Sequence, residues 1–185
     1  MSVLTPPDNA TGILPAGTWN IDPAHSTVEF AIRHLDVATI KGRATEVAGT
    51  ITGGVAPRIE GSVPVTSVTT FDETRDEHLL SPDFFDAPLY PELRFVSTAI
   101  ATDGDELAVD GELTIKGVTR PVSLTGALRG PATDPWGNER IGIDLAGTID
   151  RNEFGVSWNA PLPDGGFLLP DRVDLSASFS AVKAV

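Results

Sequence analysis

The 185-residue chain contains no cysteine, which removes disulfides, thiolate metal sites and a cysteine nucleophile together. Basic residues are few. Thirteen Lys and Arg stand against 26 Asp and Glu, a net charge of -13, and that imbalance repels nucleic-acid phosphates and anionic membrane surfaces. No run of about 18 apolar residues occurs, so no membrane-spanning helix is expected. Residues 1–17 show neither a basic start nor a continuous apolar stretch, so no secretory signal is expected and a cytoplasmic location is the expectation. There is no Gly-x-Ser-x-Gly elbow and no glycine-rich phosphate loop. The three histidines, His25, His34 and His78, match no metal-ligand spacing. Neither a metal nor a cofactor is expected.

What is present is an ordinary globular composition, 41% hydrophobic and 21% charged, and a length that suits one domain. Residues 1–16, with Pro6, Pro7, Asn9 and Gly12, read as a flexible leader before a single domain over 17–185. From there apolar residues recur with period 2, the mark of strands with one buried face. Val28, Phe30 and Ile32 share one face of a first strand, and Thr45, Val47, Gly49 and Ile51 that of a second. A third run covers 59–70 and a fourth 93–101. Leu107 to Ile115, Val122 to Leu128, Ile141 to Ile149 and Val173 to Ala181 supply four more alternating faces, with Lys116-Gly117 and Asp134-Pro135-Trp136-Gly137-Asn138 as turns.

This pattern predicts an all-β domain of eight antiparallel strands with one short helical insertion around residues 73–85. Gly49, Gly111, Gly126 and Gly147 fall on apolar faces, where glycine marks bending or a close approach. Repeated in this way they predict a sheet curled into a barrel, which with eight strands either fills itself or encloses a slender ligand. Phe84 and Phe85 stand side by side in a charged, Pro-punctuated segment and need cover from water.

Several segments carry a resemblance. Gly17-Thr18-Trp19-Asn20-Ile21-Asp22-Pro23-Ala24-His25-Ser26, Ile32-Arg33-His34-Leu35, Lys41-Gly42-Arg43, and the run from Arg75-Asp76-Glu77-His78 through Phe84-Phe85-Asp86 are each similar to a segment of the YceI-like family of lipid-binding proteins. So are Tyr90-Pro91, the stretch from Leu113-Thr114-Ile115-Lys116-Gly117 to Pro121-Val122, and Ile149-Asp150-Arg151-Asn152-Glu153-Phe154-Gly155. All occur in the family's order. The resemblance implies an extended, lipocalin-like barrel that holds a long amphiphile, typically a polyisoprenoid, in an interior channel, often as a homodimer. Better-known members are exported, and this chain shows no matching signal.

A tunnel for such a chain needs a dry, apolar wall. Phe30, Ile32, Phe95, Leu113, Ile115, Leu124, Ile143, Leu145 and Phe179 are suitable wall residues, although an apolar strand face in a barrel is more often simply packed core. Phe84 and Phe85 read as a lid over the entrance or as a structural plug, the latter moving the entrance to an end near Trp136 and Trp158. Arg75, Asp76 and His78 are head-group candidates, or else a network capping the helix. The expected function is non-catalytic binding, sequestration or transport of a long-chain isoprenoid or fatty-type lipid. The alternatives are an enzyme or metal-dependent protein using His34, Asp76 and His78, and a ligand-free stress or interaction protein.

Overall fold

A computed structural model describes residues 14–185; the stretch 1–13 assigned above to a leader lies outside the described residues. The chain forms β1 (Gly17–Ile21), β2 (Thr27–His34), β3 (Ala38–Ala44), β4 (Ala48–Gly53), β5 (Arg58–Pro64) and β6 (Val68–Thr69). Helix α1 (Glu73–Leu80) follows, and then β7 (Glu92–Asp103), β8 (Glu106–Ile115), β9 (Val118–Thr133), β10 (Glu139–Asp150) and β11 (Arg172–Lys183). All pairings are antiparallel. The ring β1-β4-β5-β7-β8-β9-β10-β11 closes through β1–β11 contacts such as Trp19 opposite Lys183, giving the expected eight-stranded barrel.

Eleven strands make an eight-stranded barrel because two long strands, β1–β2 and β3–β4, are each broken in half and the two-residue β6 stands outside the ring. The first breaks at Asp22-Pro23-Ala24-His25, where proline at the start of a 3-10 turn cannot donate to the ladder and the Asp22 carboxylate accepts from Ala24 N. Ser26 mends the break: its hydroxyl donates to the Ser180 carbonyl and accepts from Ser180 N. Beyond it, β2 pairs with the first half of β11, Phe30 facing Leu175. The second break, between β3 and β4, is bridged by Thr45 N and Oγ1 donating to the Ser67 carbonyl.

These breaks divide the barrel into two storeys. In the upper one the strand ring is complete. In the lower one β3 meets only the two-residue β6 beyond β2, through Arg43–Thr69 and Ala44–Val68 pairs, and α1 with its following loop covers the wall instead. Asp72 caps α1 by accepting from Arg75 N. After Ser81 and Pro82 the loop folds back on the helix, with Phe85 N donating to the Leu79 carbonyl and Ala87 N to that of Leu80. The loop is held from the far side by the two-residue β8–β9 hairpin, whose Lys116 and Gly117 both adopt positive φ. Lys116 Nζ donates to the Pro82 carbonyl at 2.7 Å.

The upper end is packed solid by Trp19, Ile21, Ile51, Leu107, Val109, Ile141, Ile143 and their neighbours. Leu14 belongs to this core at 1% exposure, and the Trp19 indole donates to the Pro15 carbonyl at 2.9 Å. The ordered fold therefore starts at least three residues before the Gly17 boundary read from the sequence; a lone Leu-Pro pair carries no periodicity from which to read that. Among the described residues no helix is long and apolar enough to cross a membrane.

Candidate ligand-binding cavity

Because every strand alternates, its inward residues accumulate in the barrel, and below the packed end they do not fill it. Two connected chambers remain. The narrow one, about 160 Å³, is almost entirely apolar and is walled by Val28, Phe95, Leu113, Leu124, Leu145, Ala177 and Phe179 among others. The wide one, about 700 Å³, lies in the lower storey between β2, β10, α1 and the loops that follow β10. Leu93, Ile115 and Leu175 border both, so the chambers meet there. Asp72 and Thr74 are exposed residues of the wide chamber's wall, which places its opening beside the start of α1.

Phe30, Ile32, Phe84 and Phe85 line the wide chamber, Ile115 lines both, and Phe95, Leu113, Leu124, Leu145 and Phe179 line the narrow one. Ile143 does not: it is 1% exposed within the upper core. The inward glycines create contact rather than channel. Phe95's ring lies over Gly111, and a Cβ on Gly126 would overlap the Asp144 carbonyl oxygen, so this glycine answers a close backbone approach.

Phe84 and Phe85 differ in burial. Phe84 is 9% exposed, packs edge-on to His78 at 5.0 Å and lies 5.4 Å from Trp158. Phe85 is half-buried against the same cluster. Trp158 is thus at the same end as the phenylalanines, whereas Trp136 is 81% exposed on the β9–β10 turn; grouping the two tryptophans as one alternative entrance is not how the chain folds. That turn is organised by Asp134, which accepts from Trp136 N, Asn138 N and Arg140 Nε, while Arg140 Nη1 donates to Asp22. The Arg140 guanidinium and the Asn138 amide hold Asp134's carboxyl well below the usual carboxylate range.

The head-group candidates separate. Arg75 and His78 are in the wide chamber's wall. Asp76 is not in that wall: it accepts from Thr69 Oγ1 at 2.7 Å and from Thr70 N and Oγ1 at 2.8 and 2.6 Å. Burial would raise its pKa, but the hydrogen bonds from Thr70 and Thr69 outweigh that and leave it lowered. His34 shares the cavity wall with His78, whose Nε2 is 2.8 Å from Asp83 Oδ2. His25 sits on the exposed 3-10 turn beside Asp22, not on a strand. Among the described residues no three metal-ligating side chains converge.

Sequence reading missed Arg151. It follows β10 in a 3-10 turn, with Asp150 accepting from Asn152 N at one end and Gly155 in the left-handed conformation at the other. That turn drives Arg151 and Phe154 inward, to 4% and 1% exposure. Arg151 Nε donates to the Pro170 carbonyl at 2.9 Å, and Nη1 to those of Val156 and Trp158, both at 2.8 Å. Burial pushes its pKa down, with Asp171 and Asp150 nearby opposing. The Asp-Arg-Asn-Glu-Phe-Gly stretch could have signalled it, since an αL glycine ending a short turn leaves little freedom for the arginine.

Fold and interior together define an eight-stranded antiparallel barrel enclosing an apolar, partly open cavity. The particular family follows from comparison: residues 19–181 match the YceI-like domain, and the chain belongs to that family. It is 37% identical over 153 residues to Protein YceI of Escherichia coli O157:H7, covering 80% of each chain. Among solved structures it is similar to Burkholderia cenocepacia BcnA, with a TM-score of 0.71 and 22% identity over 86% of this chain and 98% of that one. A Campylobacter jejuni YCEI protein gives 0.68 and 26% over 83% and 90%. A polyisoprenoid binding domain from Saccharophagus degradans gives 0.68 and 13% over 90% and 98%.

Proposed function

We propose that the protein binds a long-chain amphiphile of isoprenoid type inside the barrel and sequesters or carries it, without chemistry on the ligand. The observation that carries this reading is the pair of joined chambers, a narrow apolar one bordering a wider space that reaches exposed residues at the start of α1. A volume near 700 Å³ is within the range of small-molecule sites. The narrow chamber offers no polar partner, so only an apolar chain gains by entering it, at roughly 0.8 kcal/mol per methylene buried. The likeness to a domain described as polyisoprenoid-binding supports the same ligand class.

The test is solvent extraction and native mass spectrometry of freshly purified protein, followed by titration of the delipidated protein with prenyl alcohols of increasing length. Affinity that climbs with chain length supports the proposal. Failure of every prenyl and fatty-chain compound to bind the folded, delipidated barrel refutes it.

A further inference from the structure

The Arg151 guanidinium has five N–H donors. Three carbonyls occupy Nε and Nη1. Among the described residues Nη2 has no acceptor, and no carboxylate forms an ion pair with Arg151. No fully enclosed side-chain nitrogen or oxygen lacks a partner among those residues, so Nη2 keeps some accessible surface, and the space Arg151 borders is the wide chamber. A cation that is 96% removed from solvent, beside apolar Val156, Trp158 and Leu169, is costly unless something completes its hydrogen bonding. Water can do this weakly; an oxyanion does it with charge assistance.

We infer that Arg151 is the head-group site of the wide chamber and takes one anionic oxygen, carboxylate or phosphate, of the bound amphiphile at Nη2. The inference rests on the chain-binding reading above. With Nε and Nη1 committed, the two-pronged fork that grips a whole phosphate is unavailable. Arg151 therefore selects a single oxygen and leaves the rest of the head to the chamber's other polar groups. Arg75 is the rival cation in the same wall. Its Nε and Nη2 are bound to Thr70, and it is only half-buried, so solvent already satisfies what remains of it.

Retinoic acid and its methyl ester provide the test, since both are isoprenoids, differ only in the head, and quench tryptophan emission, with Trp158 in the wall. The acid is expected to bind wild-type protein about 10- to 100-fold tighter than the ester, the ratio a charge-assisted hydrogen bond corresponds to. Arg151→Met abolishes that preference, Arg151→Lys keeps part of it, and Arg75→Met leaves it intact. Millimolar acetate or inorganic phosphate does not displace the acid. Equal binding of acid and ester to wild-type protein overturns the head site while leaving chain binding standing, and does so even if Arg151→Met does not fold. Loss of the preference in Arg75→Met, or displacement by free acetate or phosphate, also overturns it. Absence of binding by either retinoid removes the chain-binding reading and the head site with it.

Discussion

Replacing Ala177 by Phe would stopper the narrow chamber without touching its entrance. Ala177 is the small residue in the inward series Leu175, Ala177 and Phe179 of β11, standing opposite Leu145 on β10 and Val28 on β2, and its side chain faces the chamber. At ~24 cal/mol per Å³ of unfilled volume, a bound chain that can no longer occupy the 160 Å³ chamber forgoes about 4 kcal/mol. That is an upper bound of roughly a thousandfold in affinity. The loss is confined to ligands long enough to have reached past Leu93, Ile115 and Leu175. The unliganded fold is expected to gain about 0.5–2 kcal/mol, as cavity-filling substitutions do. Displacement titrations with geraniol, farnesol and geranylgeraniol on wild type and Ala177→Phe would read this as a collapse of the length dependence, alongside a melting temperature that holds or rises. A length dependence that survives in a stably folded variant would show that the chain never enters the narrow chamber.

Four further outcomes follow from the geometry. Leu14→Ala is expected to cost about 2–5 kcal/mol in denaturant unfolding, as for other fully enclosed leucines, whereas a leucine free of the barrel would cost nothing measurable. Gly126→Ala should lose at least the ~1–3 kcal/mol of overpacking because the new Cβ meets the Asp144 carbonyl; normal stability would mean that β9 and β10 can separate there. Phe84→Ala should cost ~3–5 kcal/mol as a core truncation, while Phe85→Ala should chiefly raise the ligand off-rate, and stopped-flow release with equilibrium unfolding separates the two. Asp134, its carboxyl pKa depressed by Arg140 and Asn138, contributes stability that is complete above the unfolded value near 3.9 and lost as pH falls through the lower folded value. Asp134→Asn should therefore flatten the stability curve below about pH 4, and an unchanged acid slope would refute this.

The parts of the fold legible in the sequence were those where one-sided burial repeats over many residues. β8, β10 and β11 alternate without interruption; the helical insertion read over residues 73–85 is helix only over Glu73–Leu80, since Ser81 and Pro82 end it and 81–85 form turns. β3 was not legible, because its inward positions are Ile40, Gly42 and Ala44. Gly42 is small for a reason located elsewhere, as the Phe30 ring of the paired strand occupies its space. β1 is too short to show a period, with only Trp19 and Ile21 inward. The cavity lining was legible except at Ile143, where alternation gives the face of a residue but not its height in the barrel. Arg151 was hidden because its burial is created by a turn after the strand, and Asp76 misled because its threonine partners precede it in a segment without pattern.

The lower storey has a mechanical character that the upper one lacks. Most of the narrow chamber's wall is strands of the hydrogen-bonded ring, whereas the wide chamber is closed on one side by α1, residues 81–91 and the short β6, which are tied by the two β3–β6 pairs and by side-chain hydrogen bonds such as those of Asp76 with Thr69 and Thr70 and of Lys116 with Pro82. Displacing a packed helix by an ångström or two breaks no ladder. The barrel thus combines a bore walled mostly by laddered strands with one side built from a movable helix, and on the proposed reading girth beside α1 is the dimension in which a ligand is free to vary.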